Sequence, residues 1–211
     1  MKIRRARLGD VSGMLALKSA LTFSESMGTS TRGGFLLGTD AAGYRLRIQH
    51  GLAWVLDDGA IKGFAIILPD APFRQSAVWQ RRDAVRWSID PQALMDSTLG
   101  YYDQLAVTRR GGRRYASALA LTALVDLMDQ GADNLVTATV SAPIVNLAAV
   151  PYLKRLGGAC VGCLDEEYPD FGPLVSDIWV VSRQGYEAWI AQASTLSERW
   201  IRDLALSAVR Q

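Results

Sequence analysis

The sequence predicts a mixed α/β fold in which a central sheet is flanked by helices. Three observations support this. Strand-like and helix-like patterns alternate from residue 2 to residue 182, and Asp57-Asp58-Gly59 separates two apolar runs as in a tight hairpin. After Ser182 the apolar spacing is helical only. We therefore expect an α/β domain over residues 1–182 and a C-terminal helical extension over residues 183–211, packed on the core or on a partner.

Local signals place the elements in chain order. Strands are predicted at 2–6, 52–56, 60–68, 101–108, 135–140, 159–164 and 174–182. Helices are predicted after Asp10 and over 40–49, 76–88, 115–130 and 144–156. Asp10 and Asp40 are candidate N-caps, because a carboxylate at that position accepts a hydrogen bond from a free backbone N–H. An acidic, turn-rich loop is expected between the last two strands.

The C-terminal segment carries one apolar stripe. Trp189, Ala193, Leu196, Trp200 and Leu204 recur at three- and four-residue spacing, as on one helix face. The general interpretation of such a stripe is a helix docked on its own core. The alternative is a contact in a homodimer, since tryptophans are good interface anchors.

Composition excludes several classes of protein. The 23 lysines and arginines nearly balance 21 aspartates and glutamates, and this net charge of +2 gives no indication of a nucleic-acid-binding surface. No apolar run approaches the ~18 residues that cross a bilayer, and the N-terminus lacks a signal-peptide core. We therefore expect a soluble cytoplasmic protein without a membrane partner.

A metal centre has little support. Cys160 and Cys163 form an isolated C-x-x-C in a predicted strand, where their side chains are expected to point to opposite faces, and His50 is the only histidine. We expect no metal, and we interpret the two cysteines as packing residues.

The segment Leu105-Ala-Val-Thr-Arg-Arg-Gly-Gly-Arg-Arg-Tyr-Ala-Ser-Ala-Leu119 is the most informative motif. It is typical of a strand, a glycine- and arginine-rich loop and a helix start. Free N–H groups, the helix dipole and guanidinium groups together can bind a phosphate-bearing ligand. A solvated loop is the alternative interpretation of this arginine cluster.

Together with Asn146-x-x-Ala149 and Leu156-Gly157, this segment resembles the GNAT superfamily of acyl-coenzyme A-dependent N-acyltransferases. The resemblance implies a mostly antiparallel sheet whose central strand splays from its neighbour. Arg114 stands where the family usually has glycine, and Gly111 stands where it usually has arginine or glutamine. The resemblance implies that coenzyme A contacts Leu105, Ala106, Val107, Arg109, Arg110, Gly111, Gly112, Arg113, Arg114, Tyr115, Ala116, Ser117 and Asn146.

The resemblance also suggests catalytic groups. Asp103, on the strand that leads into the loop, is the candidate base for an amine, directly or through water, and strand alternation puts it on one mostly apolar face with Tyr101, Leu105 and Val107. A purely structural aspartate is the open alternative. Tyr152 is the candidate acid for the departing thiolate, and a residue that packs or contacts the cofactor is the open alternative. A main-chain N–H between Leu105 and Val107 is the candidate oxyanion donor.

Further residues are expected around the acceptor. Phe35, Trp79 and Trp87 are candidate lining residues of the acceptor cleft, although core packing is the alternative for these aromatic side chains. Arg81, Arg82 and Arg86 are candidates for attracting an anionic group of the acceptor, and Asp165, Glu166 and Glu167 are fallback bases that we expect to be solvated.

The resulting hypothesis is an acetyltransferase that uses acetyl-coenzyme A and a small-molecule or peptide amine. A catalytically inactive, coenzyme A-binding regulatory module of the same fold is the first alternative. An unrelated α/β protein whose arginine loop binds a nucleotide is the second, because fold resemblance alone does not establish activity.

Overall fold

The structure is a computed structural model that describes residues 1–21, 28–30, 39–108, 112–168 and 172–211. Its strands are β1 Lys2–Arg5, β2 Gly28–Ser30, β3 Leu52–Asp57, β4 Ile61–Pro69, β5 Arg86–Trp87, β6 Leu99–Val107, β7 Asn134–Ala142, β8 Ile144–Asn146, β9 Ala159–Tyr168 and β10 Gly172–Ser182. Its helices are α1 Val11–Ala20, α2 Ala41–His50, α3 Asp70–Arg74, α4 Ala77–Gln80, α5 Gln92–Met95, α6 Gly112–Asp129, α7 Val150–Arg155, α8 Arg183–Gln192 and α9 Leu196–Val209. Short 3₁₀ turns lie at Leu8–Asp10 and Arg82–Ala84.

The main sheet has the strand order β1-β3-β4-β6-β7-β10-β9-β5. Its neighbouring strands are antiparallel except for β6 and β7, which run parallel. Strands β2 and β8 form a separate parallel pair. The predicted mixed, mostly antiparallel sheet flanked by helices is therefore confirmed.

Strands β6 and β7 diverge part-way along their length. Their register pairs run only from Leu99 opposite Asn134 to Tyr102 opposite Thr137, whereas β6 continues beside β4 as far as Val107. Beyond Thr137, β7 remains paired with β10 on its other side. The sheet therefore opens into a fork between β6 and β7, as expected from the sequence.

Helices cover both faces of the sheet. On one face α6 and α9 pack over β1, β3, β4 and β7 in the largest core, which includes the fully buried Leu119, Leu121 and Leu124 of α6. On the opposite face α1 and α2 cover β3, β4 and β6 around Phe64. The segment from α3 to α5 covers the remaining strands around Phe73. The mouth of the fork thus lies between separate groups of helices.

The hairpin and the second helix are confirmed. Strands β3 and β4 pair antiparallel across a turn in which Gly59 has φ +78°, a backbone region that glycine adopts without strain. The Asp40 carboxylate accepts a hydrogen bond from the N–H of Gly43 at 2.8 Å and so caps α2. Each of these elements is specified by residues adjacent in sequence.

Two predicted helices are wrong. The segment 76–88 is not one helix but α4, a 3₁₀ turn and β5, because Arg86 and Trp87 pair with β9 at the sheet edge. The segment 144–156 begins with β8, which pairs with β2, and becomes helical only at Val150. Pro151 lies in the first turn of that helix, where its missing N–H costs no hydrogen bond.

The C-terminal stripe spans two helices rather than one. The chain leaves α8 at Ala193, and Thr195 caps α9 through a reciprocal hydrogen-bonded pair with Glu198. Trp189, Trp200 and Leu204 pack against the largest core, whereas Leu196 is 80% exposed. Most of the stripe therefore docks on the chain's own core. Among the described residues, none of the helices is both long and apolar enough to cross a membrane.

Asp10 does not cap α1 with its side chain. Instead its carboxylate receives two hydrogen bonds from the Arg4 guanidinium, at 2.8 and 2.9 Å, and one from the N–H of Arg7. The hydrogen bonds from Arg4 are the main cause that holds the pKa of Asp10 below its usual value. This ion pair ties β1 to the start of α1.

Replacing Asp10 with Asn is expected to lower the free energy of unfolding at pH 7 by about 1–2 kcal/mol, because charged hydrogen bonds to Arg4 are lost. A carboxyl whose pKa is lowered by folding stabilises the protein above its unfolded-state pKa and loses that contribution as pH falls through the folded-state pKa. The difference between the wild type and Asp10→Asn should therefore begin to shrink once the pH falls below about 3.9, the ordinary aspartate pKa, and should disappear as the pH passes through the lowered pKa of Asp10. Urea titrations at several pH values measure it; a difference that persists in acid would contradict this account.

Candidate active site

The free edge of β6 presents backbone groups to the fork. The N–H of Thr108 donates to the carbonyl of Lys62 on β4 at 2.8 Å, so alternation along the strand turns the N–H groups of Leu105 and Val107 away from β4. These two groups face β7, whose register pairing with β6 ended at Thr137. The fork therefore offers two hydrogen-bond donors on a rigid strand, beside the 39%-exposed side chain of Leu105.

The predicted face of β6 is wrong in part. The register with β4 shifts between Ile66 and Ile67, which leaves Asp103 as the extra residue of a β-bulge. The bulge breaks strict alternation: Val107 packs toward α6, whereas Asp103 reaches Arg47 of α2. Asp103 and Leu105 consequently lie on different faces of the sheet. The regular alternation of side chains along a strand, taken from the sequence alone, does not reveal this.

Asp103 sits in a polar environment rather than an apolar one. Its carboxylate accepts a hydrogen bond from Nε of Arg47 at 2.6 Å, and its side chain is 10% exposed. Next to it, Gln104 is buried and bridges the Tyr44 hydroxyl, which donates at 2.9 Å, to the Thr39 hydroxyl, which accepts at 2.8 Å. Arg47 was not predicted as a site residue, because its helical position gives no indication of a partner on β6.

Two tyrosine hydroxyls are buried without a hydrogen-bond partner among the residues that the structure describes. One belongs to Tyr102, the last residue of β6 that pairs with β7, and the other to Tyr152 of α7. Both side chains pack against the largest core. Burial raises the pKa of both hydroxyls well above the usual range, and proximity to Tyr152 adds to the effect at Tyr102. Buried polar atoms are rarely left unsatisfied, so this pair can accommodate a polar group of a ligand. Tyr102 was not predicted.

Helix α6 begins at Gly112, five positions after β6 ends at Val107. Gly112 has φ +72°, and Arg113 and Arg114 follow in the exposed first turn. The Arg114 guanidinium stacks on the ring of Trp200 at 4.5 Å, and Tyr115 meets the same ring edge-on at 5.1 Å. Ala116 and Ser117 are half-buried in the next positions. The predicted residues Arg109, Arg110 and Gly111 lie outside the described residues.

Asn146 is not on a helix. It ends β8, and its side-chain oxygen accepts a hydrogen bond from the N–H of Ala148 at 3.1 Å, which closes a turn before α7. Its side chain is half-buried. The expectation of a helical asparagine is therefore wrong, because the pairing of β8 with β2 takes precedence over the local helical pattern.

Two of the three predicted acceptor aromatics line one apolar pocket under the α3–α5 segment. Trp79 and Trp87 contribute to its wall together with Tyr101 of β6 and Val136 of β7. Trp87, however, lies on the edge strand β5, which β7, β10 and β9 separate from β6. The guanidinium carbons of Arg74 and Arg82 lie 4.6 and 5.2 Å from the centroid of the Trp79 ring. Phe35 lies outside the described residues.

The arginines and carboxylates near this pocket neutralise one another. Glu166, expected to be solvated in a loop, lies in β9 and is buried; it accepts hydrogen bonds from Arg81 at 2.6 Å and from the Ser176 hydroxyl at 2.5 Å. Arg86 pairs with Asp165 at the sheet edge. Arg81 and Arg86 are therefore engaged with carboxylates rather than free to attract an anion. The same strand holds Cys160, which is exposed rather than packed, and the half-buried Cys163.

Comparison with known proteins identifies the fold. No family model matches the sequence, and none of the curated proteins matches it. Solved structures do match. A ribosomal-protein-alanine N-acetyltransferase from Brucella melitensis covers 86% of this chain and 99% of its own, with a TM-score of 0.58 and 15% identity. Arabidopsis thaliana NAA60 in complex with acetyl-CoA covers 85% and 98%, with a TM-score of 0.55 and 17% identity.

A polyamine N-acetyltransferase from Drosophila melanogaster also matches, over 85% of this chain and 98% of its own, with a TM-score of 0.53 and 14% identity. These similarities cover most of this chain, and their low identities establish the fold alone. The chain has the fold of the GNAT N-acetyltransferases.

Proposed function

We propose that the protein is an N-acetyltransferase that moves the acetyl group of acetyl-coenzyme A to a primary amine by direct attack, without a covalent enzyme intermediate. The fork between β6 and β7 carries this proposal, because it leaves the N–H groups of Leu105 and Val107 without a strand partner on β7. Helix α6, with Arg113 and Arg114 in its first turn, begins five positions after β6 ends. A ligand with an extended polar arm and phosphates suits this arrangement, in which backbone N–H groups are followed by arginines at a helix N-terminus.

The described residues fit such a ligand. The buried hydroxyls of Tyr102 and Tyr152 have no partner within the described part of the chain, so they can donate to a polar atom that enters the fork. We assign the phosphates to Arg113, Arg114 and the N-terminus of α6, and the arm to the free edge of β6. Asn146 is a further proposed contact, through its amide nitrogen, since its turn is closed by the amide oxygen.

Each step has a proposed residue. Acetyl-coenzyme A supplies an acetyl group activated as a thioester, whose thiol of ordinary pKa ~8.5 can depart near neutral pH. The N–H of Leu105 stabilises the charge that develops on the carbonyl oxygen. Asp103 removes a proton from the amine, directly or through water, because a primary amine with a pKa of ~10.4 is almost fully protonated at pH 7.

Tyr152 is better suited to donate a hydrogen bond than to give up its proton. Burial, the largest cause, raises its pKa well above the ordinary value, which favours the neutral hydroxyl. Full transfer to a thiolate would therefore be uphill, because the thiol is the stronger acid. We propose that Tyr152 remains protonated and donates to the departing sulfur, with the hydroxyl of Tyr102 beside it.

Removing the Tyr152 hydroxyl should separate stability from function. Tyr152→Phe is expected to leave the melting temperature unchanged or slightly raised, because the hydroxyl is buried without a partner, and to lower kcat/KM for acetyl-coenzyme A about tenfold. Tyr44→Phe is the matched control: it removes a satisfied buried hydroxyl and should cost about 1–2 kcal/mol of stability. Thermal melts and steady-state kinetics measure both. A marked loss of stability in Tyr152→Phe would show that this hydroxyl has a structural partner.

The decisive experiment on the function is calorimetric titration of the folded protein with acetyl-coenzyme A and with coenzyme A. Saturable binding of both, followed by amine-dependent release of free thiol, would support the proposal. The amines should include polyamines and peptides with a free N-terminus, since the matched structures include enzymes named for these acceptors. A folded sample that binds neither compound would refute it.

A further inference from the structure

We infer that Trp200 of the C-terminal helix α9 is a positioning residue that holds the Arg114 guanidinium for a phosphate group of coenzyme A. The inference rests on the proposed function, which places those phosphates at the start of α6. It assigns the C-terminal helix a role in cofactor affinity in addition to its packing on the core.

The contact with Trp200 is compatible with phosphate binding by Arg114. The guanidinium carbon of Arg114 lies over the Trp200 ring, 4.5 Å from the ring centroid. A guanidinium has five N–H donors in one plane, so a contact through its face leaves them free to form a forked pair of hydrogen bonds with phosphate oxygens. Lysine could not satisfy both requirements at once.

Arg114 also differs from most of the arginines described above. Arg4, Arg47, Arg81 and Arg86 each pair with a carboxylate. Within the described part of the chain, the contact found for exposed Arg114 is the one with Trp200, and no carboxylate lies within ion-pair distance of it. An ordered cation that lacks a protein anion is suited to an external one.

The Trp200 ring is itself fixed. It is half-buried, meets Tyr115 of α6 edge-on at 5.1 Å, and packs against the largest core beside the buried Ile201. Ordering a long side chain on binding costs conformational entropy, and part of this cost is already met when the side chain is held in place beforehand. The contact should therefore strengthen phosphate binding more than an untethered arginine at the same site would.

The test is a double-mutant cycle on the full-length protein, with the Kd for coenzyme A measured by calorimetry. Trp200→Leu and Arg114→Ala should each raise Kd by about five- to tenfold, and the double variant should bind no more weakly than Arg114→Ala. Trp200→Phe, which keeps an aromatic face, should restore most of the affinity. Leu196→Ala, at an exposed position of the same helix, is the control and should bind as the wild type does.

Arg114→Lys provides a second route should Trp200→Leu fail to melt cooperatively. This exposed substitution keeps the charge but loses the planar stack, and it should raise Kd about as much as Trp200→Leu. Dephospho-coenzyme A, which lacks the 3′-phosphate, identifies the phosphate that Arg114 binds. If Arg114→Lys no longer raises Kd with this ligand, Arg114 binds the 3′-phosphate; if Kd still rises, Arg114 binds the pyrophosphate.

The results also separate the inference from the proposed function. If the wild type binds coenzyme A and Arg114→Lys binds it equally well, the positioning role is wrong. Full additivity of Trp200→Leu and Arg114→Ala would overturn it too. If the folded wild type binds no coenzyme A, the proposed function itself fails.

Discussion

Replacing Leu105 with proline is expected to lower kcat by about 10²–10³-fold while the protein remains folded. Proline has no N–H, and the N–H of Leu105 faces the fork rather than β4. The substitution therefore leaves the ladder between β4 and β6 intact, as proline does when its position faces away from a neighbouring strand. What it removes is the proposed donor to the carbonyl oxygen.

Two other proline substitutions on β6 serve as controls. Val107→Pro also removes an N–H that faces the fork, but this position lies nearer to α6 and should mainly raise KM for acetyl-coenzyme A. Ala106→Pro removes an N–H directed at β4 and should destabilise the fold by several kcal/mol, of the order of 3. Circular dichroism, thermal melts and steady-state kinetics distinguish the three outcomes. A Leu105→Pro enzyme with the wild-type kcat would exclude this N–H from catalysis.

Replacing Asp103 with Asn is expected to lower turnover about a hundredfold at pH 7, with little change in the affinity for coenzyme A. The physical reason is the protonation of the acceptor: a base is needed while the amine carries its proton. As the pH approaches the amine's own pKa of ~10.4, the amine loses that proton unaided. The deficit of Asp103→Asn should therefore shrink steadily as the pH is raised.

Arg47→Gln tests whether the Asp103–Arg47 ion pair contributes to stability alone or also to turnover. This variant keeps the carboxylate and removes its 2.6 Å hydrogen bond from Nε of Arg47. We expect it to lose stability, because Asp103 is only 10% exposed, while the pH dependence of turnover keeps the shape of the wild type. Profiles of kcat/KM against pH for the three proteins provide the comparison. If Asp103→Asn follows the wild-type profile, the aspartate is structural.

The site was only partly predictable from its residues. The strand, glycine and arginine pattern at 105–119 correctly predicts that a strand is followed by a loop and a helix, because each element is specified by neighbours a few positions apart. Asp103 is found on that strand, but the face it occupies depends on a bulge in the register with β4. No pattern within β6 reveals that bulge. The burial of the Tyr102 hydroxyl beside Tyr152 depends on the packing of α7 against the core, which the sequence does not reveal.

The sequence by itself determined the elements whose signals are local. The Asp-Gly turn specifies the β3–β4 hairpin, the Asp40 carboxylate starts α2, and Gly157 follows the last turn of α7. In each case the favourable geometry and the hydrogen bonds involve residues that are close in the chain. Such interactions form at low entropic cost and depend little on the rest of the molecule.

Only the tertiary structure decided where distant segments meet. It turned 86–87 and 144–146 into strands by pairing them with β9 and β2, buried Glu166 against Arg81, and stacked Arg114 on Trp200. It also ended the β6–β7 pairing at Tyr102 and so created the fork. These contacts join residues tens of positions apart, and their free energy comes from burial and pairing that exist only once the chain is folded.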